Sequence, residues 1–513
     1  MTERIANLAQ ALVDRQVERG HGQRSAIRAG GRTYSYLDLQ AWVNRCGNAL
    51  RSLGIERRDR VALILLDTPE FIVGFLGAVK VGAVPVPMST LLRTPDYRYM
   101  LADSGARVAI VSAPLLAQVA GLRAELPALE AIVVAGGPAS GEVRSLEALC
   151  AAAPASLATA PTGPDDWCFW QYSSGTTGTP KAAVHLQHDL FMTGEAYARN
   201  VLAMTSEDRS FSIAKLSFSF GLTSSLTHPL WAGATTLLWP ERPEPRKVFE
   251  FITRERPTLF YAVPTAYAAM LAVPAEDFPY DLSSIRQCVS AGEALPRAVW
   301  ERWRERFGLE ILDGVGSTEI GYICISNFPG RARPGTSGQV IPGYEAKVAG
   351  ADGTPVPTGE IGDLWVRGDS TFACYWDQPE KTRSAIRDGW TVTGDRYAVD
   401  ADGYFTYAGR GDDMLKVGGS WVSPIEIESA LIEHPSVLEC GVVGQEDADG
   451  LTKPAAYVVL QAGVRPTERL VEELQAFVRE RLLHYKYPRW IHFVDELPKT
   501  VTGKIQRFKL RSR

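Results

Sequence analysis

The sequence predicts an α/β protein: a large N-terminal part built from α/β subdomains plus a β-rich subdomain, followed by a small α+β domain. Three observations carry this. Apolar runs of strand length, such as Arg60-Val-Ala-Leu-Ile-Leu-Leu66, suit strands covered on both faces. Segments of helical period lie between them, the pattern of strand–helix–strand units with parallel pairing. The texture then changes twice, once past Pro334, where Gly and Pro become frequent, and again past Arg410.

The first unit is a strand over 60–66, a helix over 69–81 with Pro69 near its start, and a strand over 83–87. Val108-Ala-Ile-Val111 adds another strand. A helix-rich stretch is expected from there to Leu149, and the Ala/Pro/Thr-rich segment 151–164 reads as a connector. Aromatic-rich Trp167-Cys-Phe-Trp-Gln-Tyr172 reads as a buried strand and Ala182-Ala-Val-His-Leu186 as another. A second α/β pattern runs from Asp189 to about Gly330, with strands over 232–238, 258–263 and 285–290. Short strands at 345–348, 362–367 and 404–407 mark the β-rich subdomain. Helices over 424–432 and 470–483 and strands over 440–443 and 455–460 make the last domain. The expected division is 1–409 and 410–513.

A chain of 513 residues is too long for one core. Its 45% hydrophobic and 22% charged residues are ordinary for a soluble globular protein. A net charge of −5 argues against a nucleic-acid partner. The seven cysteines are scattered with no CxxC pair, which fits reduced thiols. The N-terminus lacks the apolar core of a signal peptide, no apolar run reaches membrane-spanning length, and Arg-Ser-Arg at the end is not a peroxisomal address. A cytoplasmic protein is expected, with no membrane partner.

Between the two aromatic-flanked strands lies Ser173-Ser-Gly-Thr-Thr-Gly-Thr-Pro-Lys181. Gly175 and Gly178 allow close backbone approach to a phosphate, the hydroxyls of Ser173, Ser174, Thr176 and Thr177 donate hydrogen bonds, and Lys181 adds charge. It is not a Walker A loop, because Pro180 precedes the lysine and Ala182 follows it. Alone, such a loop is a polar surface loop. Further on, Ser290-Ala-Gly-Glu293 ends an expected strand, where open α/β sheets bind ligands. In Asp313-Gly-Val-Gly-Ser-Thr-Glu319, the glycines again permit close approach, and Thr318 with Glu319 sets a hydroxyl beside a hard carboxylate suited to Mg2+.

These segments, with Thr393-Gly-Asp395, Tyr407-Ala-Gly-Arg410, Met414-Leu-Lys-Val-Gly-Gly-Ser-Trp-Val-Ser-Pro424 and Leu497-Pro-Lys-Thr-Val-Thr-Gly-Lys504, occur in the order of the adenylate-forming superfamily. The chain resembles that superfamily over essentially its whole length. The wording around Lys416 is most like its benzoate-CoA ligase branch. The resemblance implies that Ala291, Gly292, Glu293, Asp313, Gly314, Val315, Gly316, Ser317 and Thr318 line the nucleotide, with Asp313 at adenine, Thr318 at phosphate and Glu319 on Mg2+. It implies that Asp395 and Arg410 hold the ribose, that Asp412 is the hinge, and that Gly418 and Gly419 leave room for the pantetheine of coenzyme A. Lys504 would be the catalytic lysine of adenylation, and Lys416 matches a lysine of the benzoate branch. Val315 stands where the family carries tyrosine.

The resemblance extends to the acid pocket. Phe211-Ser-Ile-Ala-Lys-Leu-Ser-Phe-Ser-Phe-Gly-Leu222 is similar to the aryl-acid helix of benzoate-type ligases, as are Leu226-Thr-His-Pro-Leu230, Phe260-Tyr-Ala-Val-Pro-Thr265 and 316–327. Ser217, Ser219, Phe220, Gly221, Tyr261, Ala291, Gly316, Gly321 and Tyr322 are the pocket candidates. Gly321 and Tyr322 replace the branch's Leu-His, which frees volume and exchanges an imidazole for a phenol. The implied activity is an ATP-dependent aryl-CoA ligase taking an aryl carboxylic acid, ATP with Mg2+, and CoA. The acid is a benzoate, hydroxybenzoate or aminobenzoate, with 2-aminobenzoate favoured. The rivals are a stand-alone enzyme loading a carrier protein and a non-catalytic nucleotide-binding scaffold. Homodimer formation is left open.

Overall fold

A computed structural model describes residues 5–174, 180–274, 279–417, 420–447, 451–483, 486–499 and 505–511, with the backbone alone at Ser174, Asp412, Lys416, Ser420 and Trp421. The expected α/β class is the one the chain adopts. A first sheet of five parallel strands runs in the order Val84–Pro87, Arg60–Ile64, Val108–Ser112, Ala131–Ala135, Arg144–Ser145. Its central strands are buried, as their unbroken apolar sequences require. The strand Ala131–Ala135 falls where helix was expected. Only two short 3-10 turns, Ala113–Gln118 and Ala120–Ala124, precede it. Ile132, Val133 and Val134 are β-branched and gain a covered face by pairing with Val108–Ser112.

The second sheet has nine strands and carries the candidate site. Its order is Gln339–Val340, Ile323–Ser326, Ile311–Gly316, Gln287–Ser290, Leu259–Ala262, Arg209–Ser212, Thr235–Leu238, Ser25–Ala29, Arg32–Ser35. The six strands from Ile311–Gly316 to Ser25–Ala29 are parallel, so their C-terminal ends share one edge. There Ala262 pairs with Ser290 and Ser290 with Asp313. The segment likened to an aryl-acid helix is different in kind. Phe211 and Ser212 are strand, and helix begins only at Ser219. That helix runs on through a π turn, Thr223–Thr227, to Ala232.

Trp167–Ser174 and Pro180–Leu186 pair antiparallel, and Cys374–Tyr375 adds to the second of them. Tyr344–Ala349, Gly362–Gly368, Trp390–Val399 and Phe405–Arg410 form an antiparallel sheet, as the Gly/Pro-rich texture anticipated. Past Leu415 come helices Pro424–Ile432 and Glu468–Arg481 against strands Val437–Glu446, Thr452–Leu460 and Trp490–Phe493. The apolar clusters of this part draw only on residues from Leu415 onward. All seven cysteines are free thiols. No helix among the described residues is long and apolar enough to cross a membrane.

Candidate active site

Glu319 is a meeting point for three chain segments. Ser173 and Lys181 face each other across an antiparallel pair. The Ser173 hydroxyl donates to Glu319 Oε1 at 3.2 Å, and the Tyr375 hydroxyl donates to the same oxygen at 2.8 Å. Lys181 Nζ lies 3.7 Å from that oxygen, donates to the Tyr375 hydroxyl, and sits 3.9 Å from the centre of its ring. Burial would raise the Glu319 carboxyl, but the Lys181 charge and the Tyr375 hydrogen bond outweigh it and hold it below the usual range. Burial lowers Lys181 in turn, partly offset by Glu319. Tyr375 escaped sequence reading. Nothing local marks it, and it arrives only because Tyr375 pairs with Ala183.

Next to this centre, two glycines answer to steric need. A Cβ on Gly316 would lie 1.9 Å from the Tyr322 carbonyl oxygen, and one on Gly314 would lie 2.7 Å from Ile323. Gly292 has φ +97°, which disfavours any side chain. Ala291 is buried and Glu293 follows in the same turn. Val315 is half-buried, and its carbonyl accepts from the Cys324 thiol at 3.4 Å. Asn327 grips the Asp313 carbonyl with both its backbone N–H and its side-chain amide, at 2.9 and 3.1 Å. Asp313 Oδ2 accepts from the Leu295 N–H at 3.3 Å, while Oδ1 is buried without a hydrogen-bond partner among the described residues. Ser290 Oγ and Ser317 Oγ likewise make no well-formed hydrogen bond among the described residues, although Ser290 lies beside the Asp313 carboxyl and Ser317 beside that of Glu319. Such orphaned groups are costly unless a ligand completes them. Further along, Asp395 and Arg410 pair across neighbouring strands, with Arg410 Nη1 donating to Asp395 Oδ1 at 2.9 Å.

Burial pushes the Asp313 carboxyl up to about 8. The folded chain therefore keeps a proton that the unfolded chain loses above about pH 4, so this group withdraws stability as pH rises from about 4 to about 8. Asp313→Asn removes that titration. Thermal melts of the ligand-free protein between pH 5 and 9 should show a smaller loss of Tm for the variant than for the unaltered chain. Parallel curves would exclude the buried proton.

The aryl candidates collect on the other side of the 316–322 turn. Phe220 meets Tyr261 edge-on with ring centres 6.1 Å apart and stacks on Tyr322 at 5.9 Å. A Cβ on Gly221 would lie 2.1 Å from the Lys215 carbonyl oxygen. Gly321 has φ +85°, so the turn itself demands glycine there. The serines differ from expectation. Ser219 Oγ donates to Gln171 Oε1 at 2.5 Å, and buried Ser217 gives its carbonyl to Gln171 Nε2 at 2.9 Å. Gln171 thus uses the hydroxyl proton of Ser219, and the ring-facing polar role shifts deeper.

Deeper lie residues not singled out from the sequence. The Tyr322 hydroxyl is 3.0 Å from Ser224 Oγ. His228 meets Tyr322 edge-on at 4.6 Å and stacks on Tyr197 at 5.9 Å. Neither His228 nitrogen makes a well-formed hydrogen bond among the described residues, though the Thr193 backbone faces the ring. Burial, outweighing the pull of the Thr193 backbone, lowers His228 to about 3, so the ring is neutral and one nitrogen is a bare acceptor. The i, i+4 spacing of Ser224 and His228 was the available signal, since it sets both on one helix face. Gly175, Thr176, Thr177, Gly178, Gly418, Gly419 and Lys504 lie outside the described residues, as do the side chains of Ser174, Asp412 and Lys416.

Comparison with known proteins fits this geometry. The model of the AMP-binding enzyme family matches residues 13–376, and that of the AMP-binding enzyme C-terminal domain matches 426–504. The chain is 50% identical to a benzoate–CoA ligase of Thauera aromatica, over 99% of this chain and 96% of that protein. It is 44% identical to a 4-hydroxybenzoate–CoA/benzoate–CoA ligase of Rhodopseudomonas palustris, over 100% of this chain and 95% of that protein. Among solved structures, the anthranilate CoA ligase AuaEII in complex with anthranoyl-AMP superposes with a TM-score of 0.95 at 44% identity, covering 99% of this chain and 97% of that one.

Proposed function

This chain belongs to the AMP-binding enzyme family and is an AMP-forming aryl-CoA ligase, and we propose that its acid is a benzoate carrying an amino or hydroxyl group, with 2-aminobenzoate favoured. One observation carries the reading. Glu319, held by Ser173, Tyr375 and Lys181, and Tyr322, packed against Phe220 and His228, are three residues apart on one turn. An aromatic acid lying against these rings would present its carboxylate beside the nucleotide phosphates.

ATP, Mg2+ and CoA are the co-substrates and metal. The orphaned Asp313 Oδ1 suits the amino group of adenine, and Asp395 with Arg410 suits the ribose hydroxyls. No group of three or more His, Cys, Asp or Glu side chains among the described residues is placed to hold a metal. A single carboxylate, Glu319, fits Mg2+ shared with substrate phosphates. When bound there, the ion neutralises charge on the transferring phosphate. In the first half-reaction the carboxylate oxygen attacks the α-phosphorus of ATP and pyrophosphate leaves, with Lys504 stabilising the charge that develops on the phosphate. In the second, the small domain, which we place at 410–513, turns about Asp412. CoA then enters past Gly418 and Gly419, whose lack of side chains suits a thin pantetheine arm, its thiolate attacks the acyl carbon, and AMP departs. Lys416 serves this second arrangement. Lys181 and the Ser173–Gly178 loop bind the phosphates. The same reading places the enzyme in the cytoplasm.

The test is a panel of aryl acids offered with ATP and free CoA, read by AMP release and product mass. Amino- and hydroxybenzoates should be used with kcat/KM about tenfold above plain benzoate, roughly the worth of one satisfied buried hydrogen bond. Both should far exceed octanoate, because aromatic side chains favour a flat ring. Tyr322→Phe should narrow the gap between substituted and plain benzoate and leave ATP affinity unchanged. A preference for octanoate would overturn the aryl assignment. A preference for plain benzoate with a silent Tyr322→Phe would overturn the substituent alone.

A further inference from the structure

We infer that His185 and Asp189 form a buried strap that positions Glu319 for the metal-bound nucleotide. The inference rests on the functional reading above and concerns residues that it leaves without a role. Both side chains are fully buried. His185 Nε2 donates to the Thr318 carbonyl at 2.7 Å, and His185 Nδ1 lies 2.9 Å from Asp189 Oδ2. The same Asp189 oxygen accepts from the Leu186 N–H at 2.9 Å. Phe169, opposite on the neighbouring strand, stacks flat on the imidazole at 4.7 Å and fixes its plane.

The placement follows from strand geometry. Lys181 and His185 are four apart on Pro180–Leu186, so they face the same side. One reaches the carboxylate of Glu319, and the other reaches the peptide immediately before it. On the far side, the Phe372 N–H donates to the Glu319 carbonyl at 2.7 Å. The Glu319 backbone is thus held from both ends while Ser173 and Tyr375 hold its carboxylate. A plain core histidine is the bland alternative. Burying an imidazole against a carboxylate carries a desolvation cost that an apolar pair of the same volume avoids. What the polar pair adds is a directed donor on one carbonyl. Side chains that orient a metal ligand change metal affinity about 10–100-fold when removed.

His185→Leu, His185→Gln and Asp189→Asn test it. Gln carries its amide nitrogen where His carries Nε2, so it restores the donor to Thr318. Adenylation is followed by aryl-acid-dependent pyrophosphate exchange across a Mg2+ titration. Binding of ATP with and without Mg2+ is measured by calorimetry in the absence of acid. His185→Leu should raise the half-saturating Mg2+ about tenfold and weaken Mg2+-ATP binding to match. Metal-free ATP binding and thioester formation from supplied aryl-adenylate should stay within about twofold, since neither uses the metal. His185→Gln should return the Mg2+ requirement to within about threefold of the unaltered enzyme. Where His185→Leu yields no folded protein, Asp189→Asn is read in its place and should shift the Mg2+ requirement in the same direction. Unchanged Mg2+ dependence with both half-reactions reduced together overturns the strap, as does a Gln variant no better than Leu. An unaltered enzyme that forms no adenylate from any aryl acid overturns the functional reading, and the strap with it.

Discussion

Lys504→Ala forms aryl-adenylate about 100- to 1,000-fold more slowly than the unaltered enzyme, yet converts supplied aryl-adenylate and CoA to thioester at a near-normal rate. That magnitude is what a preorganised charge on a developing phosphate anion contributes. The split follows from where the chain anchors the loop. Its two flanks are tied together, with Lys499 bridged to Ile505 and the Gln506 N–H donating to the Pro498 carbonyl at 2.8 Å. Lys499 pairs with Glu439 at 2.6 Å, and Arg507 grips buried Glu428 with Nη2 at 2.7 Å. The loop base is thereby fastened to the small domain. Lys416 belongs to a different segment, the strand Leu415–Val417, and a turning domain would present the two lysines in turn. Lys416→Ala should accordingly spare adenylation more than thioester formation. Pyrophosphate exchange reads the first half-reaction and product mass the second. Equal losses in both half-reactions for Lys504→Ala would overturn the reading in which the turning domain presents Lys504 and Lys416 in turn.

Much of this arrangement was legible in the sequence because it is local. The strand Arg60–Ile64, the helix Pro69–Lys80 and the Gly/Pro-rich β subdomain announce themselves through period and turn residues. Gly314, Gly316 and Glu319 stand in one motif whose residue types already state its chemistry. What escaped is non-local. Tyr375 reaches Glu319 only through pairing with a strand almost two hundred residues earlier. The strand Arg209–Ser212 is half serine, and its identity comes from two parallel neighbours rather than from its own pattern. The helix expected across Phe211–Leu222 begins late for the same reason. Ser219 looked like a ring-binding hydroxyl because its partner Gln171 sits in another sheet. His228 was in view, but a histidine on an apolar helix carries no meaning until its burial against Tyr322 and Tyr197 is seen.

Glu319→Gln lowers adenylation by about 100-fold or more while leaving a folded protein that still binds the aryl acid. The substitution keeps shape and one carbonyl oxygen, so Ser173 and Tyr375 retain an acceptor. It removes the charge that suits Mg2+ and that Lys181 faces at 3.7 Å. Lys181 is then half-buried with no counter-charge at that position, which costs more than the pair was worth. The sign of the pH effect is fixed. The Glu319 carboxyl is depressed in the fold, so its stabilising contribution is present above the unfolded value of about 4.5 and is lost as pH falls through the lower, folded value. The variant should therefore melt below the unaltered enzyme at neutral pH, and the two should converge once pH falls below the depressed folded value. Tyr375→Phe removes one donor and keeps the charge, and about a tenfold loss of adenylation is expected from it. Adenylation by Glu319→Gln within tenfold of the unaltered enzyme, at saturating Mg2+, would show that the metal is held elsewhere. A Tyr375→Phe loss exceeding that of Glu319→Gln would move the centre of the site from the carboxylate to the phenol.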